Sequence, residues 1–296
     1  MIKDFFKQNN IDFIEDAPLI NHNTYHIKSY AKFLVYPNNI DEVVLIVHYL
    51  KEKKQEYVFL GNGSNIILAN ANYDKVFIKL DRLNYINYNS NFVTAGAGTS
   101  LIKLALDCAL NNLSGLEFAC AIPGLVGAST AMNAGAYNSS ISDILVSAKV
   151  LTDKLEVKEF KNKDLDFVYR DSFLKQHKDF ICLESTFKLE TKDSEKILEL
   201  MSSRQERRID TQPLTYPSAG SVFRNPPDKF AGQLIESIGL KGKNINGAEV
   251  SEKHANFIIN KHGATGEDVI TLINEVKNEV RKKYNIELIL EQEIIR

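Results

Sequence analysis

Ala121-Ile122-Pro123-Gly124-Leu125-Val126-Gly127-Ala128-Ser129-Thr130-Ala131-Met132-Asn133-Ala134-Gly135-Ala136-Tyr137-Asn138 is the stretch on which the reading of this chain turns. Most of its side chains are small, and three are glycine. Such a segment buries little apolar area per residue, so packing alone explains it poorly. Small residues let a backbone approach something closely and leave its N–H groups free to donate. A large planar or phosphorylated ligand fits that description; a tight interior loop between two strands is the plainer alternative. Composition weighs the two about evenly, by analogy with other glycine-rich phosphate loops. A second glycine stretch, Gly61-Asn62-Gly63-Ser64-Asn65, tips the balance toward a ligand.

Outward from these two stretches the chain alternates strands and helices. Tyr57–Leu60 runs as a strand straight into Gly61, and Ile66–Leu68 and Val76–Leu80 read as the next two strands. The loop is therefore flanked by strands, unlike the dinucleotide fingerprint in which glycines open a helix. Consecutive backbone N–H groups could still cradle an anion. Upstream, the first ~20 residues read as a short helix and connector, Lys32–Pro37 as a strand, and Ile40–Lys54 as a helix. Val43, Val44, Val47 and Leu50 form that helix's stripe, with Asn39 or Asp41 at its cap. Phe92–Gly98 is a strand, and Thr99 or Ser100 caps a helix over Leu101–Leu110.

Strands resume at Ile144–Leu151 and Phe180–Phe187. The helix Asp193–Arg208 has a charged outer face and marks a domain change. A turn-rich entry, Thr211–Ser221, leads to a short strand, Val222–Arg224. Phe230–Ile238 is a helix stopped by Gly239. Ala255–Asn260 is a strand, Thr265 and Asp268 match a capping box before a helix over Glu267–Lys283, and Ile286–Arg296 closes as a strand. The last ~100 residues read as a compact α/β unit.

Composition excludes several classes. The chain has 296 residues, room for about two domains, and its net charge of −2 comes from interspersed charges. It carries no basic field for nucleic acid and no polybasic tail for a membrane. Cys108, Cys120 and Cys182 lack metal-ligand spacing, read as buried small hydrophobes, and imply no metal and no disulfide framework. The N-terminus lacks the apolar core of a signal peptide, and no segment is apolar for long enough to span a bilayer. A cytoplasmic protein is expected.

Eight blocks in order carry a specific likeness. They are N-T-Y-H-I (Asn23–Ile27), G-N-G-S-N (Gly61–Asn65), I-P-G-L-V-G-A with M-N-A-G-A-Y (Ile122–Ala128, Met132–Tyr137), Y-R-D-S (Tyr169–Ser172), Y-P-S-A-G-S-V-F-R-N-P (Tyr216–Pro226), F-A-G-Q-L-I (Phe230–Ile235), G-A-E-V-S-E-K-H-A-N-F-I-I-N (Gly247–Asn260) and L-E-Q-E-I-I (Leu290–Ile295). Together they span nearly the whole chain and resemble the UDP-N-acetylenolpyruvoylglucosamine reductases, flavoenzymes of peptidoglycan synthesis. The compact stretch between Phe187 and Ser221 suggests the family's shorter form, typical of Gram-positive bacteria. Lys28-Ser29, Ala121 and Ala128 stand where the family usually has small residues or glycine.

The resemblance implies an α+β fold: a two-part FAD-binding domain of the vanillyl-alcohol-oxidase/PCMH type over residues 1–192, broken near 85–95, then a C-terminal α/β substrate-binding domain over 193–296. It implies NADPH-dependent, FAD-mediated reduction of the enolpyruvyl group of a UDP-sugar. Gly61, Asn62, Gly63, Ser64 and Asn65 would wrap the FAD pyrophosphate; Pro123, Gly124, Gly127, Asn133 and Gly135 would line the rest of the flavin. A monomer acting on a small nucleotide-sugar, with no nucleic-acid or membrane partner, is expected.

Three residues would carry the chemistry. Ser221, after Gly220 at a loop-to-strand corner, is the candidate proton donor; the plain alternative is a turn serine bonded to its own backbone. Arg170 would hold the carboxylate and its developing enolate with a planar guanidinium that stays charged; the alternative is a surface pair with Asp171 or Asp166. Glu293 is the candidate acid. Alternation places Glu291 and Glu293 on one face and does not choose between them; the family pattern assigns the second. Tyr216, Arg224 and Asn225 are candidates for substrate binding, while Glu249, Lys253, His254 and Asn256 would line the site or brace it. Two other classes compete: an oxidase of a small alcohol on the same architecture, and a nucleotide-sugar-binding protein without redox activity.

Overall fold

Asn39 starts the helix Ile40–Glu52, its Oδ1 accepting the Glu42 N–H at 2.9 Å. Val43, Ile46, Val47 and Leu50 form the buried face. Ile46 displaces Val44 from the predicted stripe because residues three and four apart share a helix face. Ser100, rather than Thr99, caps Leu101–Leu110 through the Lys103 N–H. Thr265 and Asp268 make both halves of the capping box before Gly266–Tyr284. The computed structural model describes residues 2–296.

The chain packs into two units, and neither is one continuous segment. Among the described residues the first holds those up to Glu15, Phe33–Gly61 and Lys75–Glu206; the second holds Asp16–Lys32, Asn62–Asp74 and Arg207–Arg296. The sequence predicts a single boundary at residue 193. Ile197 and Met201 explain part of the difference: both are buried in the first unit's core, which keeps most of the helix Ser194–Thr211 there. The two short N-terminal segments join the second unit through pairings the sequence does not display.

The first unit contains an antiparallel five-stranded sheet in the order Val157–Lys161, Leu145–Leu151, Ile181–Lys188, Phe92–Gly96, Ile86–Asn89. Val157–Lys161 escapes sequence reading because it is a mostly exposed strand of charged residues. Helices Leu101–Leu110 and Val126–Ala131 contribute to the core that includes Val93, Ala148, Val150 and Phe187. A second core gathers Phe6, Phe33, Val35, Val43, Val47 and Leu50 with Val76 and Ile78. There Tyr57–Phe59 pairs in parallel with the end of Asn72–Ile78, Tyr57 opposite Val76 and Phe59 opposite Ile78.

In the second unit Ala248–Val250 pairs antiparallel with Ile258–Asn260 and with Asn244–Ile245. Ile66–Leu68 pairs in parallel with the last strand, Glu293 opposite Ile66 and Ile295 opposite Leu68. That last strand is only Glu293–Ile295, shorter than the predicted Ile286–Arg296. The predicted strand Val222–Arg224 is a single bridge, Phe223 to Leu290. Gly266–Tyr284 buries Val269, Ile270, Leu272, Ile273, Val276 and Val280. A Cβ on Gly266 would stand 1.9 Å from the Leu68 carbonyl oxygen, so the helix start requires glycine there.

Candidate active site

The Gly61–Asn65 loop is held by its carbonyls. Buried Lys79 donates from Nζ to the Gly61 oxygen at 2.9 Å, within the first unit. In the second unit Thr24 donates to the Gly63 oxygen from both its N–H and its hydroxyl, each at 3.2 Å, and the Glu293 N–H donates to the Asn65 oxygen at 2.9 Å. The N–H groups of Gly61, Gly63 and Ser64 have no acceptor among the described residues. A loop with tied carbonyls and available N–H donors has the donor set that a diphosphate needs. This donor chemistry fits the pyrophosphate of FAD.

Ala121–Asn138 behaves differently. Val126–Ala131 is a short helix, and the N–H groups of Ile122, Gly124, Val126, Gly127, Ser129, Met132, Asn133 and Ala134 are all spent inside the first unit. Close packing accounts for its glycines. A Cβ on Gly127 would lie 2.7 Å from the Ala97 Cβ, one on Gly124 would lie 2.4 Å from the Ser129 hydroxyl, and one on Gly135 would lie 2.4 Å from the Ser139 oxygen. Asn133 is buried and committed: its Nδ2 donates to the Val168 oxygen at 2.9 Å and its Oδ1 accepts the Ser142 N–H at 3.0 Å. The free donors expected along this whole stretch are thus concentrated in the shorter loop upstream. Pro123, Ala128, Tyr137 and Asn138 are the exposed positions of the central stretch.

Arg170 sits in the first unit at the tip of a tight hairpin closed by mutual Val168–Asp171 backbone bonds. Its φ of 57° lies in the left-handed region, where a side chain costs conformational energy. The guanidinium Nη2 donates to the Gly135 oxygen at 2.6 Å, and its carbon lies 5.1 Å from the exposed Tyr169 ring. The Y-R-D-S and M-N-A-G-A-Y blocks therefore meet.

Ser221 and both candidate glutamates belong to the second unit. The Ser221 side chain is half-buried, and its hydroxyl makes no hydrogen bond among the described residues. The turn-serine alternative, in which that hydroxyl closes its own loop, is therefore not what the structure holds. Gly220 before it has φ 74°, a conformation that suits glycine. The Glu291 N–H donates to the Val222 oxygen at 2.8 Å, and Asn65 Nδ2 donates to the Glu291 oxygen at 3.2 Å. With Glu293 N–H on Asn65, the last strand joins the end of the glycine loop to the Ser221 segment.

The remaining candidates divide into exposed and bracing residues. Tyr216 is exposed, and Arg224 is half-buried with its N–H on the Ile289 oxygen at 2.9 Å. The Asn225 Oδ1 accepts the Ala231 N–H at 3.0 Å and so serves the start of the helix Ala231–Ser237. Asn256 braces: its amide bonds both the N–H and the oxygen of Phe223, at 3.0 and 2.8 Å. Burial lowers the pKa of His254, whose Nδ1 accepts the Asn256 N–H at 3.2 Å. Glu249 is buried, and Lys261 Nζ bonds both of its oxygens at 2.9 and 2.8 Å. All three cysteines are buried, and burial pushes Cys182 to about 11 and Cys108 to about 12.

Sequence reading passed over two buried residues, Gln292, which bonds the carbonyls just before Ser221, and Tyr25, which bonds Gln292. Each stands inside a quoted block, but only an apolar burial of polar groups, invisible in one dimension, marks them. Among the described residues no three His, Cys, Asp or Glu side chains cluster as metal ligands, and no helix is long and apolar enough to cross a membrane.

Residues 31–161 match the family described as FAD binding domain, and residues 212–295 match UDP-N-acetylenolpyruvoylglucosamine reductase, C-terminal domain. The UDP-N-acetylenolpyruvoylglucosamine reductase of Bacillus subtilis (strain 168) is 42% identical over 283 residues, covering 95% of this chain and 93% of its own. That of Clostridium perfringens (strain SM101 / Type A) is 39% identical over 287 residues, covering 97% and 94%. The crystal structure of the Thermus caldophilus reductase matches with a TM-score of 0.81 at 30% identity, covering 97% of this chain and 99% of that one. The expected α+β fold, an FAD-binding domain followed by a distinct C-terminal domain, therefore holds.

Proposed function

The chain belongs to the UDP-N-acetylenolpyruvoylglucosamine reductase family, and on that premise we propose that it reduces the enolpyruvyl group of UDP-N-acetyl-3-O-(1-carboxyvinyl)-glucosamine to give UDP-N-acetylmuramate for peptidoglycan synthesis. The balance is one hydride and one proton added across the vinyl bond, with NADPH oxidised to NADP⁺. Bound FAD supplies the hydride relay between NADPH and the terminal vinyl carbon. The observation that supports the reading within the site is the half-buried Ser221 hydroxyl with no partner among the described residues, in a unit that also holds Glu291 and Glu293.

Ser221 delivers the proton to the carbon beside the carboxylate. An unactivated hydroxyl is a weak acid, but a strongly basic carbanion requires chiefly a well-placed O–H. Arg170 takes the substrate carboxylate and the charge that spreads into it; Nη2 on Gly135 fixes the plane of its guanidinium. Glu293 assists at the same carbons, and Tyr216, Arg224 and Asn225 bind the nucleotide-sugar. Asn225 would act through its Nδ2, since its Oδ1 is spent on Ala231.

Gly61, Asn62, Gly63, Ser64 and Asn65 hold the pyrophosphate through backbone N–H groups. Pro123, Gly124, Gly127, Asn133 and Gly135 line the flavin, Asn133 by its backbone. Residues 1–192 serve the cofactor and 193–296 the substrate, except that Asp16–Lys32 and Asn62–Asp74 pack with the latter and 193–206 with the former. We assign the protein as a cytoplasmic monomer that uses NADPH and binds neither nucleic acid nor membrane.

The test is an anaerobic half-reaction. Just enough NADPH is added to bleach the flavin band, followed by the enolpyruvyl substrate. Rapid return of the oxidised band is expected. A bleached flavin that recovers only in air would indicate an oxidase, and a colourless protein that takes up no FAD would indicate a binding protein.

A further inference from the structure

We infer that Gln292 is a positioning residue that sets the Ser221 hydroxyl, with Tyr25 as its anchor; this rests on the proton-donor reading of Ser221. Gln292 is 3% exposed and Tyr25 is fully buried. Gln292 Nε2 donates to the Ala219 oxygen at 2.9 Å and to the Gly220 oxygen at 3.2 Å, the two carbonyls immediately before Ser221. The Tyr25 hydroxyl donates to Gln292 Oε1 at 3.1 Å. The amide orientation follows from its neighbours. Carbonyls only accept, so Nε2 must face them, and Oε1 is left for the tyrosine hydroxyl.

A primary amide is suited to this place because it offers two donors and an acceptor on one rigid plane. Its own backbone is fixed on both sides of it, by the Glu291 N–H on Val222 and by the Glu293 N–H on Asn65. The clamp acts on the residue that most needs it. Gly220 has φ 74°, and nothing lies nearer than 3.9 Å to where its Cβ would be. Ala219 and Val222 on either side are buried, and the two hydrogen bonds from Gln292 restrain the carbonyls of the turn between them. A turn that rotates carries the next side chain with it, and a displacement of about 1 Å in a reacting group can cost on the order of 100-fold in rate.

The variants are Gln292→Met, which keeps the length and removes all three bonds, Gln292→Glu, which keeps an acceptor and leaves at most one donor for the two carbonyls, and Tyr25→Phe. Each is made in the full, FAD-loaded protein, alone and with Ser221→Ala. Flavin bleaching by NADPH, and substrate affinity for the oxidised protein measured by calorimetry, should stay within about twofold. Colour return on adding the enolpyruvyl substrate should slow by roughly 10- to 100-fold for Gln292→Met and Gln292→Glu, and less for Tyr25→Phe. Combined with Ser221→Ala, Gln292→Met should add less than about twofold, because the group it positions is gone. An equal slowing in both backgrounds, or equal loss of both half-reactions, would overturn the positioning role and leave Gln292 a general brace. If Ser221→Ala itself left colour return unchanged, the proton-donor reading would fall first and the positioning role with it. Should Gln292→Met not fold, Gln292→Glu and Tyr25→Phe carry the same comparison.

Discussion

Gly63→Ala should distort the loop assigned to the FAD pyrophosphate more than any other glycine-to-alanine change with the same backbone angle. Gly63 has φ 65°, and an added Cβ would stand 2.3 Å from the His22 oxygen, 2.6 Å from the Asn23 Cα and 3.0 Å from the His22 carbonyl carbon. All three neighbours are backbone, so no side chain can rotate away. The left-handed conformation costs alanine about 1–2 kcal/mol, and forcing atoms into filled space costs a further ~1–3 kcal/mol. Gly239 is the control. It has φ 75° with nothing within 4 Å of its Cβ position, so Gly239→Ala bears the conformational cost alone. Both residues lie in the second unit. Calorimetric melting of the flavin-free proteins should show Gly63→Ala the less stable of the two by ~1–3 kcal/mol. A titration followed by flavin fluorescence should show weakened FAD binding for Gly63→Ala only. Equal melting shifts for the two variants, with FAD affinity retained, would refute the claim that the His22 carbonyl walls the loop.

Three further outcomes are expected. Glu293→Gln should slow colour return in the anaerobic half-reaction more than Glu291→Gln does; the reverse order would move the acid's role to Glu291. Arg170→Lys keeps the charge but loses the planar fork held by Gly135, so substrate affinity by calorimetry should fall while bleaching by NADPH persists. His254 has its pKa lowered by burial from 6.5, so the unfolded chain binds the proton more readily than the native one. Its contribution to stability is complete above pH 6.5 and declines as pH falls below that value; melting of His254→Asn should lose this part of the pH slope.

Much of the candidate site was legible because the family's blocks are short and local. Gly61–Asn65, Arg170, Ser221 and Glu293 are marked by neighbours in sequence, and the structure gives several of them a distinct setting: tied carbonyls at the loop, a strained tip at Arg170, an unpartnered hydroxyl at Ser221. Other assignments needed packing. The small residues of Ala121–Asn138 looked like a donor surface, yet Gly127 is glycine because Ala97 and the Cys182 oxygen stand against it. Asn225 reads as a candidate for substrate binding, and only packing shows that its Oδ1 also serves the Ala231 N–H six residues on, beyond the usual spacing of a helix cap.

The sequence by itself determined the elements whose stabilising groups lie within a few residues of one another. Thr265 and Asp268 are three residues apart, so cap and helix are written together there; for the helices at Ile40 and Leu101 the sequence places the start and the structure chooses Asn39 over Asp41 and Ser100 over Thr99 as the cap. The order of the family blocks also fixed the fold class. Tertiary structure alone decided which segments share a unit: Asp16–Lys32 and Asn62–Asp74 join Arg207–Arg296. It also decided which polar groups meet. Tyr25 finds Gln292 across 267 positions of chain, and Asn65 finds Glu291 across 226. The physical reason is that backbone and amide donors are alike along the whole chain. A strand such as Ile66–Leu68 carries no mark of which edge it will pair with, and only collapse of the apolar faces brings one particular set of donors and acceptors within 3 Å or so of each other.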